Sequence, residues 1–346
     1  AASDVYKRQD LNPSYDESQN AYPIRISVKE GTDMTSLAPI FELTPGATIS
    51  PASGSVQNFT TPVRYTVTSE DKAWHRVYAI TAREQKASNI PTTYHFEKVR
   101  IMQNVWQEFY EEQDSGNELT WASGNKGFKW AMSEAATEDY PTTQIDNGKT
   151  GKCVKLETRL TGDLGNMVGM PIAAGNLFIG SFDMLNAITN PLSATRFGTP
   201  FYNKPLRLTG YYKYKAGEQF YENGEYTSRK DIFNIYAIFY DGVKYDSAGK
   251  GTDVTLDGNL PNQNYEHSSM VALALVSNPQ ETEGDEWKFF DIPFDYQRYG
   301  KKIDEARLAK GEYKIGIIFA SSKDGATFEG APGSTLLIDE VELIYE

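Results

Sequence analysis

The sequence predicts an all-β protein made of two β-sandwiches, a small N-terminal one and a larger jelly roll. Three observations predict it. Tyr (22), Phe (17) and Gly (28) are abundant, a mix that suits strands and tight turns better than long helices. Apolar residues recur with a period of two, interrupted by turn residues every 8–12 positions. With 346 residues the chain is long enough for two domains of roughly 100–200 residues each.

Residues 1–20 are polar and irregular and read as a tail or linker. Tyr22, Ile24, Ile26 and Val28 then alternate with Pro23, Arg25 and Ser27, as in a half-buried strand. Phe41-Glu42-Leu43 repeats the pattern briefly, and Thr44-Pro45-Gly46 and Ser50-Pro51-Ala52-Ser53-Gly54 are turn signals. Val63, Tyr65 and Val67 form another strand, Ser69 to Lys72 a polar hairpin loop, and Trp74 to Ala82 the returning strand. These elements assign residues 21–85 to the small sandwich and 86–93, polar and containing Pro91, to a linker.

Residues 94–346 form the second domain. Its strands are expected at 152–158, 206–215, 232–240, 269–276, 287–294, 313–320 and 335–345. Ile232 to Phe239 is apolar on both faces, which places that strand between two layers. Only Asp304 to Lys310 reads as helical, so a jelly roll is the architecture that fits.

A net charge of −13, with no cluster of Lys and Arg, excludes a phosphate-binding surface for nucleic acid. The single cysteine, Cys153, rules out an internal disulfide framework and sits in an apolar strand as a small buried residue. No run of about 18 apolar residues is present to span a membrane as a helix. No signal peptide is visible; an exported protein would already have lost it, so this does not argue for the cytoplasm.

Gly148-Lys149-Thr150 resembles the end of a phosphate-binding loop, but Thr143 stands where that loop needs glycine. Paired carboxylates would serve a glycosidase, yet 47 acids make candidates unspecific. Glu108, Glu111, Glu112 and Asp114 read as a solvated face, and no residue is assigned as catalytic. In the final strand, alternation puts Leu337, Asp339, Val341, Leu343 and Tyr345 on one face. A carboxylate on an apolar face needs a cation, a basic side chain or backbone donors, unless a bulge turns it to solvent. Calcium is the cation considered, with Glu97 as second ligand if the first and last strands are neighbours.

Aromatic rings beside small polar residues are the other signal, since sugar C–H faces pack on rings while hydroxyls take polar side chains. Trp121 and Asn125, Trp130, Tyr202 and Tyr212 are the candidate carbohydrate contacts. Trp287, beside Phe289 and Phe290, reads instead as core.

Several stretches resemble a known family, the putative carbohydrate metabolism domain of exported proteins from gut Bacteroidetes. They are Trp121-Ala-Ser-Gly-Asn-Lys-Gly-Phe128, Ala173-Ala-Gly-Asn-Leu-Phe-Ile-Gly-Ser-Phe182, Phe197-Gly-Thr-Pro-Phe201, Lys204-Pro-Leu-Arg-Leu-Thr-Gly-Tyr-Tyr-Lys-Tyr214 and Leu337-Ile-Asp-Glu-Val341. Phe41 to Gly54 and Tyr65 to Asp71 look like an immunoglobulin-like module preceding such domains. The resemblance implies a jelly roll like that of carbohydrate-binding modules, and lipid-anchored attachment at the outer membrane through a cysteine preceding residue 1. It also implies a structural Ca²⁺ between an early Glu and a late Asp, which Glu97 and Asp339 match in placement.

The function expected is therefore capture of polysaccharide or oligosaccharide at the cell surface, alongside other surface glycan-utilisation proteins. A glycoside hydrolase with acids on the concave jelly-roll face is the alternative, and a structural adhesin-type subunit a third.

Overall fold

The computed structural model describes residues 14–29, 31–85, 87–113 and 116–346. The chain divides into two compact units at Ala87/Ser88. Most of the expected tail, residues 1–13, lies outside the described residues.

The first unit holds a four-stranded sheet of β1 (Tyr22–Lys29), β2 (Thr48–Ser50), β3 (Val63–Thr68) and β4 (His75–Gln85) in the order β1-β4-β3-β2. β1 runs parallel to β4, whereas β3 and β4 are an antiparallel hairpin across Ser69–Trp74. Val28, Tyr65, Ile80 and Ala82 pack against Leu37 and Phe59 from the segment between β1 and β3, which supplies the second layer. The expected strand at 41–43 is absent. Phe41 donates its N–H to the Ser53 hydroxyl (2.8 Å) instead of entering a ladder, and pairing in this stretch falls to Leu37 and Gln57.

In the second unit the principal strands are β5 (Thr93–Tyr94), β6 (Val99–Met102), β7 (Trp106–Glu112), β8 (Glu118–Thr120), β9 (Thr142–Asp146) and β10 (Lys152–Glu157). They continue with β11 (Asn176–Phe178), β12 (Thr199–Pro200), β13 (Pro205–Lys215) and β14 (Asn234–Asp241). The last are β15 (Met270–Leu275), β16 (Lys288–Pro293), β17 (Tyr313–Ala320) and β18 (Thr335–Tyr345). One sheet runs β16-β13-β18-β10-β9, with β5 also paired to β18, and the other runs β11-β17-β14-β15, with β12 paired to β17. The inward residues of both, among them Leu208, Tyr212, Ile235, Phe239, Ile317 and Ile338, form one core. This is the β-sandwich that the alternation predicts.

The second sheet is covered on both faces. Ile235, Ala237 and Phe239 of β14 enter the main core, while Tyr236, Ile238 and Tyr240 pack with Phe178, Leu256 and Met270 on the far side. The two-sided apolar run in the sequence has this cause.

Besides α4 (Glu305–Leu308), inside the stretch expected to be helical, three short helices occur: α1 (Asn125–Ala131), α2 (Gly162–Met167) and α3 (Met184–Thr189). α4 and α3 are capped by Asp304 and Asp183, each accepting two N–H groups of the first turn. α1 and α2 have no side-chain cap and carry Gly127, Gly162 and Gly165, so helical pattern and propensity are both weak. Tertiary packing holds them: Phe128 of α1 packs with Trp106 and Tyr140. Residues 88–90, expected in the linker, belong to this unit. Ser88 and Ile90 are buried, and Asn89 donates its side-chain N–H to the Pro200 carbonyl (2.8 Å).

Candidate functional site

Of the five aromatic and amide residues singled out in the sequence, three are interior. Trp121 is 1% exposed and packs against Tyr94, Phe96 and Phe319, with ring centroids 5.0, 5.7 and 5.9 Å away. Tyr212 lies on the inward face of β13 with its ring 4.8 Å from Phe233. Asn125 is fully buried, donating to the Thr142 carbonyl (2.7 Å) and accepting its N–H (3.1 Å), which ties α1 to β9. The expectation that these three meet a sugar is corrected: their faces are spent on the core, where large rings contribute the most apolar area. Trp130 (38% exposed) and Tyr202 (41%) remain open to solvent on separate elements, α1 and the turn after β12.

An aromatic strip that the sequence did not single out lies on the outer face of the first sheet. β13 turns Leu208, Tyr212 and Tyr214 inward, so Thr209, Tyr211 and Lys213 face out. β16 turns Phe290 and Ile292 inward, so Phe289 and Asp291 face out. Tyr211 and Phe289 are directly opposed cross-strand partners with ring centroids 5.2 Å apart, and Phe289 is 54% exposed. The Lys149 ammonium sits 4.9 Å above the Tyr211 ring, and that of Lys213 5.0 Å above Trp287. Arg207 pairs with Asp291 (2.7 Å), and Lys213 with Asp285 (2.5 Å). Rings flanked by ammonium, carboxylate and hydroxyl groups can stack on the C–H face of a sugar and bond its hydroxyls. The signal was present as alternation within Lys288–Pro293; reading the Trp-Lys-Phe-Phe run as a block of core concealed it.

Glu97 and Asp339 do meet one structure, the turn at 147–152. Glu97 accepts the Lys152 N–H (2.8 Å), and Asp339 accepts those of Thr150 (3.0 Å) and Glu340 (2.8 Å). A register shift opposite Gly210 bulges β18 at Glu340, whose φ is 48°, yet Asp339 stays fully buried. A side chain on Gly148 would collide with Asp339 Oδ2 and the Lys152 carbonyl, so the turn requires glycine there. Glu97 and Asp339 thus bring carboxylate oxygens to one turn, part of the six to eight oxygens that a calcium ion takes, and each keeps acceptor sites beyond its amide donors. Among the described residues no cluster of three or more His, Cys, Asp or Glu side chains could hold a metal. Backbone donors of Thr150 and Glu340 meet Asp339.

Burial outweighs those donors and raises the Asp339 carboxyl to about 6. A carboxyl raised in the folded state favours folding most when protonated, so its contribution is lost as pH rises through about 6. Wild type is expected to lose melting temperature across pH 4.5–7 relative to Asp339→Asn, measured in parallel. Identical pH slopes would remove the assignment.

Two other acids whose carboxyls burial makes weaker are also interior. Glu111, expected on a solvated face, is buried and accepts the Phe96 N–H (2.7 Å), and burial raises its carboxyl. Asp231 is buried within a hydroxyl and amide cluster. Neither opens onto a surface where a glycosidic bond could reach it. Asp114 of the same acidic run lies outside the described residues. Cys153 is fully buried, and burial pushes its thiol up to about 12, which removes it as a nucleophile.

Comparison with known proteins places the chain. The family described as "Putative carbohydrate metabolism domain" matches residues 95–344, and that described as "SGBP, N-terminal" matches residues 11–82. A crystal structure described as a putative glycoside hydrolase from Bacteroides vulgatus is 50% identical, covers 75% of this chain and 100% of its own, and superposes with a TM-score of 0.69. Another so described, from Bacteroides thetaiotaomicron, is 46% identical over 94% of this chain and 91% of its own, with a TM-score of 0.67. No curated protein matches. With the family spanning most of the chain and both relatives covered nearly end to end, the chain belongs to the putative carbohydrate metabolism domain family of gut Bacteroidetes.

Proposed function

We propose that this protein captures polysaccharide or oligosaccharide at the cell surface, with the larger domain as the glycan-binding part and the N-terminal unit as a spacer. The observation that carries this reading is the Tyr211–Phe289 pair on the outer sheet face, Phe289 exposed and Tyr211 half-buried, flanked by Lys149, Lys213, Thr209 and Asp291. Large rings left open on a rigid sheet cost solvation and are retained where a ligand covers them. The carbohydrate family of the larger domain and the "SGBP, N-terminal" family of the first unit support the same reading. Attachment at the outer membrane through a lipid anchor, beside other surface glycan-utilisation proteins, belongs to the same reading.

The test is retention on immobilised polysaccharides with parallel assay of reducing ends. Phe289→Ala and Tyr211→Ala are each expected to weaken retention about 10-fold, the scale of one lost ring contact of ~1.4 kcal/mol. The melting temperature of Phe289→Ala should stay at the wild-type value, because the ring is more than half exposed. Unchanged retention in both variants would overturn the site. Release of reducing ends by the wild type would favour the hydrolase reading instead.

A further inference from the structure

Three segments far apart in sequence enclose a cleft of about 450 Å³. They are the end of α2 with the turn after it, the hairpin of Phe220–Glu222 and Glu225–Thr227, and the loop 324–330. Asn166 comes from the first, Tyr221 and Asn223 from the second, and Phe328 and Glu329 from the third.

The walls are braced against one another. Tyr221 and Gly330 exchange backbone hydrogen bonds (2.9 and 3.1 Å), which joins the hairpin to the loop. Arg229 joins them again by pairing with both Glu222 and Asp324. A side chain at Gly330 would collide with the Ser322 hydroxyl, itself held by Asp231, so the loop is seated on the buried Asp231 cluster. Phe328 is kept at φ 59° and ψ 34°, a left-handed conformation that a bulky residue adopts only at a cost.

Within this frame the polar groups are uncommitted. Among the described residues, the Asn166 and Asn223 carboxamides and the Glu329 carboxylate have no hydrogen-bond or ion-pair partner. No lysine or arginine lines the cleft, so an anion would meet Glu329 with nothing to balance it. One carboxylate is too few to hold a hard cation. The donors and acceptors stand beside the rings of Tyr221 and Phe328, and Tyr221 meets the exposed Tyr226 ring edge-on at 5.3 Å. Carboxamides and a carboxylate next to rings suit an uncharged ligand with several hydroxyls and an apolar C–H face.

We propose that this cleft binds a neutral pyranose, as a second glycan subsite separate from the Tyr211–Phe289 face. Its volume falls in the ordinary range of small-ligand sites, about 300–1,000 Å³. The inference rests on the glycan reading of the chain but not on that face, because neither Tyr211 nor Phe289 lines the cleft.

The test uses the full chain and its Phe289→Ala variant, so that the two sites are read separately. D-glucose, D-galactose, D-mannose, D-xylose and N-acetyl-D-glucosamine are titrated one at a time, read by saturation-transfer NMR. Saturable binding of at least one of them, equal in wild type and Phe289→Ala, is expected. Asn223→Gly removes a carboxamide and suits the turn, since Asn223 has φ 51° and glycine takes that conformation freely. Glu329→Gln keeps the shape and removes the charge. Each should weaken the bound sugar roughly 5-fold to 10-fold, the scale of one hydrogen bond, without lowering the melting temperature. No saturable binding of any of the five sugars overturns the proposal. So does binding that both cleft variants leave unchanged, or that Phe289→Ala abolishes. Sugar binding that Asn223→Gly and Glu329→Gln weaken, in a protein that no polysaccharide retains, would support the cleft and overturn the sheet-face site alone.

Discussion

Replacing Asp231 with alanine is expected to destabilise the larger domain by about 3–5 kcal/mol, because it strands buried donors that nothing else can take up. Asp231 Oδ2 accepts the Ser322 hydroxyl (2.6 Å), the Ala331 N–H (2.7 Å) and the Ser334 hydroxyl (2.7 Å), while Oδ1 accepts the Ile232 N–H (2.9 Å). One carboxylate thus joins the approach to β14, the exit from β17 and the approach to β18. The serines have second partners, since Ser322 also meets Thr158 (2.5 Å) and Ser334 accepts the Gly217 N–H (2.9 Å). The Ile232 and Ala331 amides have no comparable alternative in this network, and they account for most of the loss. Burial raises the Asp231 carboxyl despite these donors, so part of the cost of holding the charge is returned when it is removed. Asp231→Asn keeps the shape and one acceptor and should fall well short of the alanine variant. Denaturant unfolding measures both; a loss below about 1 kcal/mol in Asp231→Ala would mean the cluster relaxes around the gap.

Trp121→Ala is the second large effect, about 3–5 kcal/mol from cavity formation where the tryptophan joins Tyr94, Phe96 and Phe319. Its indole N–H is buried without a hydrogen-bond partner, so Trp121→Phe gives back part of the loss. The folded fraction of Trp121→Ala should hold glycan as the wild type does, in contrast to Phe289→Ala, which loses retention without losing stability. A Trp121→Ala protein that melts normally but fails to retain glycan would return Trp121 to the binding surface.

The contrast between Trp121 and Phe289 shows what was legible in the chain. Seven strands of the larger domain could be read from alternation, and the observed β13, β14 and β18 lie within a residue or two of their expected bounds. The strand apolar on both faces was placed between layers for the reason the structure gives. Helices α1 and α2 could not be read, because uncapped, glycine-containing segments carry no local signal and owe their shape to what they pack against.

Site residues were less legible than strands, since the same ring chemistry serves a core and a sugar platform. Alternation within β16 separates Phe289 from Phe290, but which face meets the second sheet depends on how β16 and β13 pair. Asp339 shows the same division. Its need of a partner was raised by the order of residues, but its face was not read correctly. Leu336 and Ile338 enter the core, the bulge at Glu340 then turns Val341 and Leu343 inward, and Asp339, opposite Tyr211, lies on the outer face against the 147–152 turn. That the backbone of the 147–152 turn meets it depended on a contact 189 residues away in sequence. By itself the sequence determined the all-β class, seven strands of the larger domain and its family, because each rests on local periodicity or motif. The tertiary structure decided which rings stay open, which acids are enclosed, and where a cleft forms between the end of α2, a hairpin and a loop, because burial is a property of the partner surface as much as of the residue.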